Sequence, residues 1–253
     1  MITFVGLGLW DETDITLKGL EAVRKADKVY AELYTSMMGV ELESLEKLYG
    51  RKVELLSRED LEERSLELLK EAKQKNIVVL VAGDPFVATT HNSVLIDAKK
   101  MGVPFRIIHN ASIVSAISGV TGLHIYKFGK TATVSHPYKG IISRKPIDTI
   151  RQNLSINAHT LLLLDLNPPM EIGKAVEILE KVDDGTLNHF AVGVARVGGD
   201  CQIKCDYFYE LKSHDFGSPP HSIVFLSKTL HITEFEFLKE FADPPKEIEE
   251  IVE

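Results

Sequence analysis

Two glycine-containing turns follow apolar segments and carry the residue types best suited to hold a small polar ligand. The first is GLGLWDETD (6–14) and the second is AGDPFVATTH (82–91). Glycine lets the backbone approach a ligand closely and adopt dihedral angles that other residues avoid. Asp84 lies in a turn shaped by a glycine and a proline, so it either contacts a ligand or caps the helix expected near Thr89.

A third segment, HNASIV (109–114), follows the next predicted strand along the chain, and Ser112 is expected to open a helix there. Neighbouring strand ends with small polar residues and free backbone N–H groups define a crevice for a ligand. A nicotinamide cofactor is the obvious rival, because Glu32 stands where a ribose-binding acid would lie. The third glycine of that fingerprint is missing, and the predicted helix starts too late to cap a pyrophosphate.

Redox and metal chemistry find little support in the sequence. The two cysteines, Cys201 and Cys205, are not spaced as a CxxC pair, and we expect both to be small buried hydrophobes. No HExxH motif or Cys/His array accompanies them, so no metal site is expected.

The elements that position the turns alternate between strands and helices. The apolar run NIVVLVA (76–82) is typical of a strand buried on both faces of a parallel sheet. In the helix over 16–26, Leu17, Leu20 and Val23 are expected on one face. The other predicted strands lie at 1–6, 28–33, 53–56 and 104–109, and the other helices at 41–49, 59–75 (capped by Ser57), 91–101 and 112–118.

The second half of the chain has fewer helices for each strand, which predicts a mixed sheet in a second α/β domain. We place the domains at 1–122 and 123–253, and we expect the acidic tail after Pro245 to be a solvated end. Strands are predicted at 130–136, 159–166, 190–197 and 221–227, and helices at 146–156, 171–182 and 233–242.

The composition and charge of the chain argue against nucleic acids and membranes as binding partners. The chain has 253 residues, 44% hydrophobic and 26% charged, with a net charge of −8. The negative charge argues against binding a nucleic-acid backbone. No apolar run approaches the roughly eighteen residues that a membrane helix needs, and MITFVG lacks the features of a signal peptide. We therefore expect a cytoplasmic protein that does not enter a membrane.

Eight segments together resemble the diphthine synthase branch of the tetrapyrrole-methylase-like (class III) methyltransferases. The resemblance covers about residues 2–242, and the DETDIT, ATTH and GLHIYKFG stretches point to this branch. Leu9-Trp10 departs from other branches, which often carry Pro-Gly there. The segments are GLGLWDETDIT (6–16), YAELYTS (30–36), GDPFVATTH (83–91), HNASIVSAI (109–117), TGLHIYKFGKTATV (121–134), LLLLDL (161–166), ARVG (195–198) and PPHSIVF (219–225).

The resemblance implies two α/β domains with S-adenosyl-L-methionine in the cleft between them, and a homodimer. It implies successive methylation, to the trimethyl stage, of the amino group of a 3-amino-3-carboxypropyl-histidine of elongation factor 2, in diphthamide biosynthesis. S-adenosyl-L-homocysteine is the implied product. The family's cofactor contacts map onto Leu9, Asp84, Val87, Ser112, Ile113, Leu164, Val197 and Ser222.

A strong general base is not required, because about a tenth of an α-amino group is neutral at pH 7. Asp165 is a weak candidate for accepting a proton or stabilising the cationic product, and a structural role is as good an interpretation. His91 and His109 fit scaffold roles better than that of a base. Lys127 or Lys130 is a candidate partner for the carboxylate of the substrate arm.

The sequence is compatible with two other functions. A methyltransferase of the same fold acting on a precorrin-type tetrapyrrole is the alternative within the enzyme class. A noncatalytic module that binds the cofactor or a nucleotide as a sensor is the alternative from another class.

Overall fold

A computed structural model describes residues 1–34 and 37–253. Thr35 and Ser36, the last two residues of YAELYTS, lie outside the described residues. The chain divides into two units, residues 1–115 and 116–253, and each unit has its own five-stranded sheet. The predicted α/β class is therefore confirmed, and the domain limits 1–122 and 123–253 stay a prediction.

The first unit contains a parallel sheet with the strand order β3-β2-β4-β1-β5. All five residues of β4 are buried, as the run of apolar residues predicts. Because β4, β1 and β5 are neighbours and parallel, their carboxyl ends lie side by side. The strands are β1 (Ile2–Gly6), β2 (Lys28–Glu32), β3 (Glu54–Leu56), β4 (Ile77–Val81) and β5 (Phe105–Ile108).

Helices connect these strands close to the predicted positions. A 3-10 turn at Glu12–Asp14 separates β1 from the first helix, so the late helix start predicted after the first turn is confirmed. The division between the two units falls within α6. The helices are α1 (Leu17–Lys25), α2 (Leu42–Tyr49), α3 (Arg58–Glu62), α4 (Ser65–Ala72), α5 (Asn92–Lys100) and α6 (Ile113–Thr121).

The prediction of one helix over 59–75 is wrong, because two helices occupy that segment. Ser57 caps α3 with a capping box, as expected. The backbone N–H groups of Glu63 and Arg64 both donate to Glu59 O at 2.9 Å, which closes the first helix. Arg64 then adopts φ −110° and ψ 17°, outside the helical region, before α4 begins.

Leu17 does not lie on the buried face of α1, because 81% of its surface is exposed. The helix packs through Gly19 and Val23 instead. A Cβ added at Gly19 would lie 2.7 Å from Val5 Cγ1, so the glycine brings the helix close to the sheet. That contact turns Leu17 towards solvent.

The second unit contains a mixed sheet with the order β6-β7-β10-β8-β9, as predicted for this half of the chain. Only β6 and β7 are parallel, and the other neighbours are antiparallel. The strands are β6 (Ala132–Val134), β7 (Thr160–Leu164), β8 (Phe190–Ala195), β9 (Gln202–Tyr207) and β10 (His221–Phe225).

Strand β9 was not predicted, because it is a polar strand at the edge of the sheet. Cys205 in this strand is buried, and burial raises the pKa of its thiol. Cys201 just before it is exposed, so the prediction of two buried cysteines holds for only one of them.

Three helices complete the second unit: α7 (Lys145–Ser155), α8 (Ile172–Glu180) and α9 (Ile232–Phe241). None of the helices in the described part of the chain is long and apolar enough to cross a membrane.

The tail after Pro245 is not a free solvated end. Residues 246–251 form a 3-10 helix, and Ile248 is buried. Leu230 N–H donates to Ile251 O at 2.7 Å, and Glu253 N–H donates back to Leu230 O at 2.8 Å.

Glu234, in the first turn of α9, is a fully buried carboxylate that holds several segments of the second unit together. Burial works to raise the pKa of this carboxyl, but its hydrogen bonds outweigh burial and hold the pKa well below its usual value. Lys127 also donates to Thr229 O at 2.8 Å, so its ammonium is engaged inside the unit and is not free for a substrate arm. The donors to Glu234 are His124 N (2.8 Å), His231 N (2.9 Å), Lys127 Nζ (3.0 Å) and His159 Nε2 (3.2 Å).

The hydrogen bonds of His159 show that it is neutral. Its Nδ1 accepts from Ser227 N–H at 2.9 Å, so the ring proton lies on Nε2 and points to Glu234. Burial lowers the pKa of His159, which favours this neutral form.

We predict that Glu234→Gln lowers the free energy of unfolding at pH 7 by about 1–3 kcal/mol, because Lys127 and His159 lose a charged acceptor. Since the folded pKa of Glu234 lies below its unfolded value of 4.5, its contribution is present above pH 4.5 and lost as the pH falls further. Urea unfolding between pH 7 and 3 measures this effect.

The control is Glu236→Gln, an exposed glutamate on the same helix, which should change little. A difference between the wild type and Glu234→Gln that stays constant from pH 7 to pH 3 would contradict the assignment.

Candidate ligand site at the strand ends

The first glycine turn and the GDP turn are joined by backbone hydrogen bonds. Gly83 N–H donates to Gly8 O at 2.7 Å, and Gly8 N–H donates to Gly83 O at 3.3 Å. Both residues need glycine, because their φ angles are 90° and 73°. A Cβ at Gly6 would lie 2.6 Å from Gly83 O, so the close approach of the two turns also requires glycine there.

Asp84 joins the GDP turn to the end of β5. One carboxylate oxygen accepts from Phe86 N–H at 2.9 Å. The other accepts from Asn110 N–H at 3.2 Å and from His109 Nδ1 at 2.8 Å. The alternative that Asp84 caps the following helix is wrong, because α5 begins at Asn92 and His91 occupies its N-cap.

Asn110 and Asp14 complete the connection between the strand ends, although neither was predicted as a site residue. Asn110 Nδ2 donates to Gly6 O at 3.0 Å and to Asp14 O at 2.9 Å. Asp14 Oδ2 accepts from the backbone N–H groups of Leu9 (3.1 Å) and Trp10 (2.8 Å). The available signal was a polar residue at each strand end, in DETD and HNAS.

The predicted site residues of the first unit lie at the carboxyl edge of its sheet. Leu9 follows β1, and Asp84 and Val87 follow β4. Ser112 is buried after β5, and a Cβ at Gly83 would lie 3.5 Å from its Cβ. Ile113 is the first residue of α6 and is half-buried.

The three predicted residues of the second unit also share one edge of their sheet. Leu164 ends β7, and Val197 follows β8. Ser222, near the start of β10, pairs with Leu163 on one side and Val194 on the other. Antiparallel pairing therefore brings the carboxyl ends of β7 and β8 to the beginning of β10.

Arg196 fixes the loop that leads into β10, a role that was not predicted although Arg196 lies within the ARVG segment. Its φ is 50°, and its guanidinium is buried. It donates to Ser218 O at 2.8 Å, to Asp200 O at 3.2 Å and to Phe216 O, and its backbone N–H donates to Pro220 O at 2.9 Å. These acceptors are all main-chain carbonyls, so the charge organises backbone.

Asp165 organises the turn after β7. Its Oδ2 accepts from His136 N–H at 3.0 Å, and its Oδ1 accepts from Leu166 N–H at 2.8 Å. His136 Nε2 in turn donates to Pro168 O at 2.8 Å. The structural role weighed for Asp165 is therefore present, and a role in the reaction stays a prediction.

Comparison with known proteins identifies the family. Residues 1–200 match the family model of Tetrapyrrole (Corrin/Porphyrin) Methylases. A diphthine synthase of Archaeoglobus fulgidus is 54% identical over the full length of both chains, and one of Methanosarcina barkeri is 48% identical over 98% of this chain and 100% of that protein. A crystal structure of a diphthine synthase superposes with a TM-score of 0.95 at 54% identity, covering 99% of each chain.

The chain belongs to the diphthine synthase branch of the tetrapyrrole methylases. It is a methyltransferase, which confirms the resemblance inferred from the motifs and the enzyme class that they implied. The precorrin-directed and noncatalytic alternatives are not favoured by these relatives.

In this methyltransferase, His91 is part of the scaffold. It is buried and stacks on Phe4 with ring centroids 5.6 Å apart. Its Nδ1 donates to Pro85 O at 2.7 Å, and its Nε2 lies 3.8 Å from Glu32 Oε2. Glu32 is itself fully buried, which argues against the ribose contact that the dinucleotide alternative required.

His109 and Lys130 remain accessible. Two thirds of the His109 side chain is exposed, although its Nδ1 is bound to Asp84. Lys130 is exposed, and its Nζ donates to Gln152 Oε1 at 3.3 Å. Within residues 1–34 and 37–253, no group of three or more His, Cys, Asp or Glu side chains is arranged to hold a metal ion.

We predict that Asp84→Ala weakens S-adenosylmethionine binding at least about tenfold, because Phe86 and Asn110 lose the acceptor that shapes the GDP turn. Calorimetric titration measures the dissociation constant. Asp97→Ala, a partly exposed position on α5, is the control and should bind as the wild type does. An unchanged constant for Asp84→Ala would remove this residue from the site.

Proposed function

We propose that this methyltransferase uses S-adenosyl-L-methionine to methylate the amino group of a 3-amino-3-carboxypropyl-histidine in elongation factor 2. Three successive transfers would give a quaternary ammonium, with S-adenosyl-L-homocysteine as product. The observation that carries this proposal is the full-length similarity to diphthine synthases at 54% identity. The strand-end turns that contain the branch-specific motifs supply the supporting geometry.

We propose that the cofactor contacts residues at the strand ends of both sheets. Leu9, Val87 and Ile113 offer half-buried apolar side chains, and Ser112 offers a buried hydroxyl. These groups fit a ligand that combines an aromatic base with a polar ribose and amino-acid arm. The proposed contacts are Leu9, Asp84, Val87, Ser112, Ile113, Leu164, Val197 and Ser222.

The protein's contribution in this proposal is alignment. The cofactor supplies a methyl group on a sulfonium centre. When the bond between sulfur and this methyl group breaks, the neutral thioether that remains is an excellent leaving group. Holding an amine in line with that methyl group contributes roughly 7–11 kcal/mol when the geometry is fixed beforehand. The turns suit this task, because Asp84, Asn110 and Asp14 hold their backbone in one conformation.

Removal of a proton from the amine requires less of the protein than alignment does. The acceptor amine reacts as its neutral fraction, which forms by rapid proton exchange with water, so a strong base is not required. Asp165 carries a half-buried negative charge in the turn next to Leu164, and we propose that its field stabilises the cationic product.

We further propose that the enzyme is a homodimer and acts in the cytoplasm, where elongation factor 2 works. The family resemblance supports the dimer, and the nature of the protein substrate supports the compartment.

Mass spectrometry of elongation factor 2 tests the proposal. The substrate is the factor carrying the unmethylated 3-amino-3-carboxypropyl-histidine, incubated with enzyme and S-adenosylmethionine. We expect mass gains in steps of one methyl group, up to three, on the modified histidine. A factor with an unmodified histidine is the control and should gain none.

An unchanged mass of the unmethylated intermediate would contradict the proposed substrate. Methyl transfer to a corrinoid precursor in the same preparation would then assign the enzyme to tetrapyrrole chemistry.

A further inference from the structure

A short hairpin in the second unit leaves the sheet at the strand ends where the proposed cofactor residues Leu164, Val197 and Ser222 lie. Strand β6 is parallel to β7, and Val134 pairs with Leu164. Residues 135–144 therefore emerge beside Leu164 and the Asp165 turn. The hairpin itself is formed by Tyr138 and Ile141, whose backbone groups exchange hydrogen bonds of 3.1 and 3.0 Å.

The hairpin is held rigidly at its base. His136 is bound to Asp165 and to Pro168 O on one side. On the other side, Ile142 packs against the core of the second unit, and Arg144 donates to Asp184 Oδ2 at 2.6 Å. A surface that is fixed in advance loses little conformational entropy when a partner binds.

The tip of the hairpin presents two large apolar side chains to solvent. Tyr138 and Ile141 are each 73% exposed. The turn between them consists of Lys139 and Gly140, with φ angles of 51° and 80°, so its shape is that of a tight two-residue turn. Lys139 lies over the Tyr138 ring, with Nζ 5.2 Å from the centroid.

The segment of the sequence that contains the hairpin carries a charge of opposite sign to that of the whole chain. Residues 116–147 contain five Lys or Arg residues and no Asp or Glu, whereas the net charge of the protein is −8. Lys127 and Arg144 are paired with acids from other segments, and Lys139 is exposed at the tip beside the Tyr138 ring. An exposed aromatic side chain beside an aliphatic one resembles the apolar part of a protein-binding contact, and the lysine between them favours an acidic partner.

We propose that the hairpin Tyr138–Ile141 docks an acidic face of the protein substrate next to its acceptor histidine. This inference rests on the proposed function, since it takes elongation factor 2 as the protein that must approach this edge. The rigid tip would hold the partner beside Leu164 and Asp165 while the flexible arm of the modified histidine is methylated.

The test compares two double variants that change the same residue types. Lys139→Glu/Ile141→Ser alters the hairpin. Ile156→Ser/Lys228→Glu is the matched control, because Ile156 is 71% exposed and Lys228 is exposed at the opposite edge of the same sheet. Lys228 lies there because it follows Phe225, the last residue of β10, and Phe225 pairs with Thr160 at the start of β7.

Three quantities are measured for each variant: steady-state methylation of elongation factor 2, direct binding of the factor by biolayer interferometry, and S-adenosylmethionine affinity by calorimetry. We expect the hairpin variant to raise KM and the dissociation constant for the factor about tenfold, with kcat within about twofold of the wild type. Cofactor affinity should not change. The control variant should match the wild type in all three.

Equal KM and equal binding in the two double variants would overturn the docking proposal while leaving the proposed function intact. If the wild type binds the factor through the hairpin but does not methylate it, the proposed function fails and the docking surface stands. If nuclease treatment of the factor abolishes the hairpin-dependent binding, the hairpin binds nucleic acid and the proposal is wrong.

Discussion

The reciprocal hydrogen bonds between Gly8 and Gly83 are the contact on which the proposed ligand site of the first unit depends. Parallel strands end with unpaired backbone groups, and these groups must be satisfied if the turns beyond them are to be ordered. Here the backbone groups of the two turns hydrogen-bond to each other. Glycine is required at positions 8 and 83 because φ is positive there, and at position 6 because there is no room for a Cβ. Asp84, Asp14 and Asn110 then bind the remaining N–H and C=O groups.

In the second unit, polar side chains likewise hydrogen-bond to the main-chain groups of the loops around its sheet. Asp165, Arg196 and Glu234 are buried or half-buried charges, and most of their hydrogen bonds go to main-chain groups. A buried charge is costly unless its hydrogen bonds are satisfied, so each of these residues specifies one loop conformation around it. For a reaction that needs mainly alignment, such preset loops are a suitable framework.

Much of the architecture could be predicted because it is local in sequence. The apolar run of β4, the alternation of strands with helices and the glycine turns are all visible within short windows. The break between α3 and α4, the exposure of Leu17 and the docking of the tail were missed, because hydrophobic spacing does not report how a helix or tail packs. The polar edge strand β9 carries little apolar signal. Asn110 binds Gly6 and Asp14, about a hundred residues away, so no local pattern reveals its role.

The most direct test of this account is a crystal structure of the protein with S-adenosylhomocysteine. If the paired turns form the binding site, the nucleoside of the ligand will lie against Leu9 and the segment from Asp84 to Val87. Gly8 and Gly83 will still be hydrogen-bonded to each other. Ligand density elsewhere, for example in the cavity of about 580 Å³ lined by Cys201, Lys204 and Phe237, with no density at the strand ends, would contradict it.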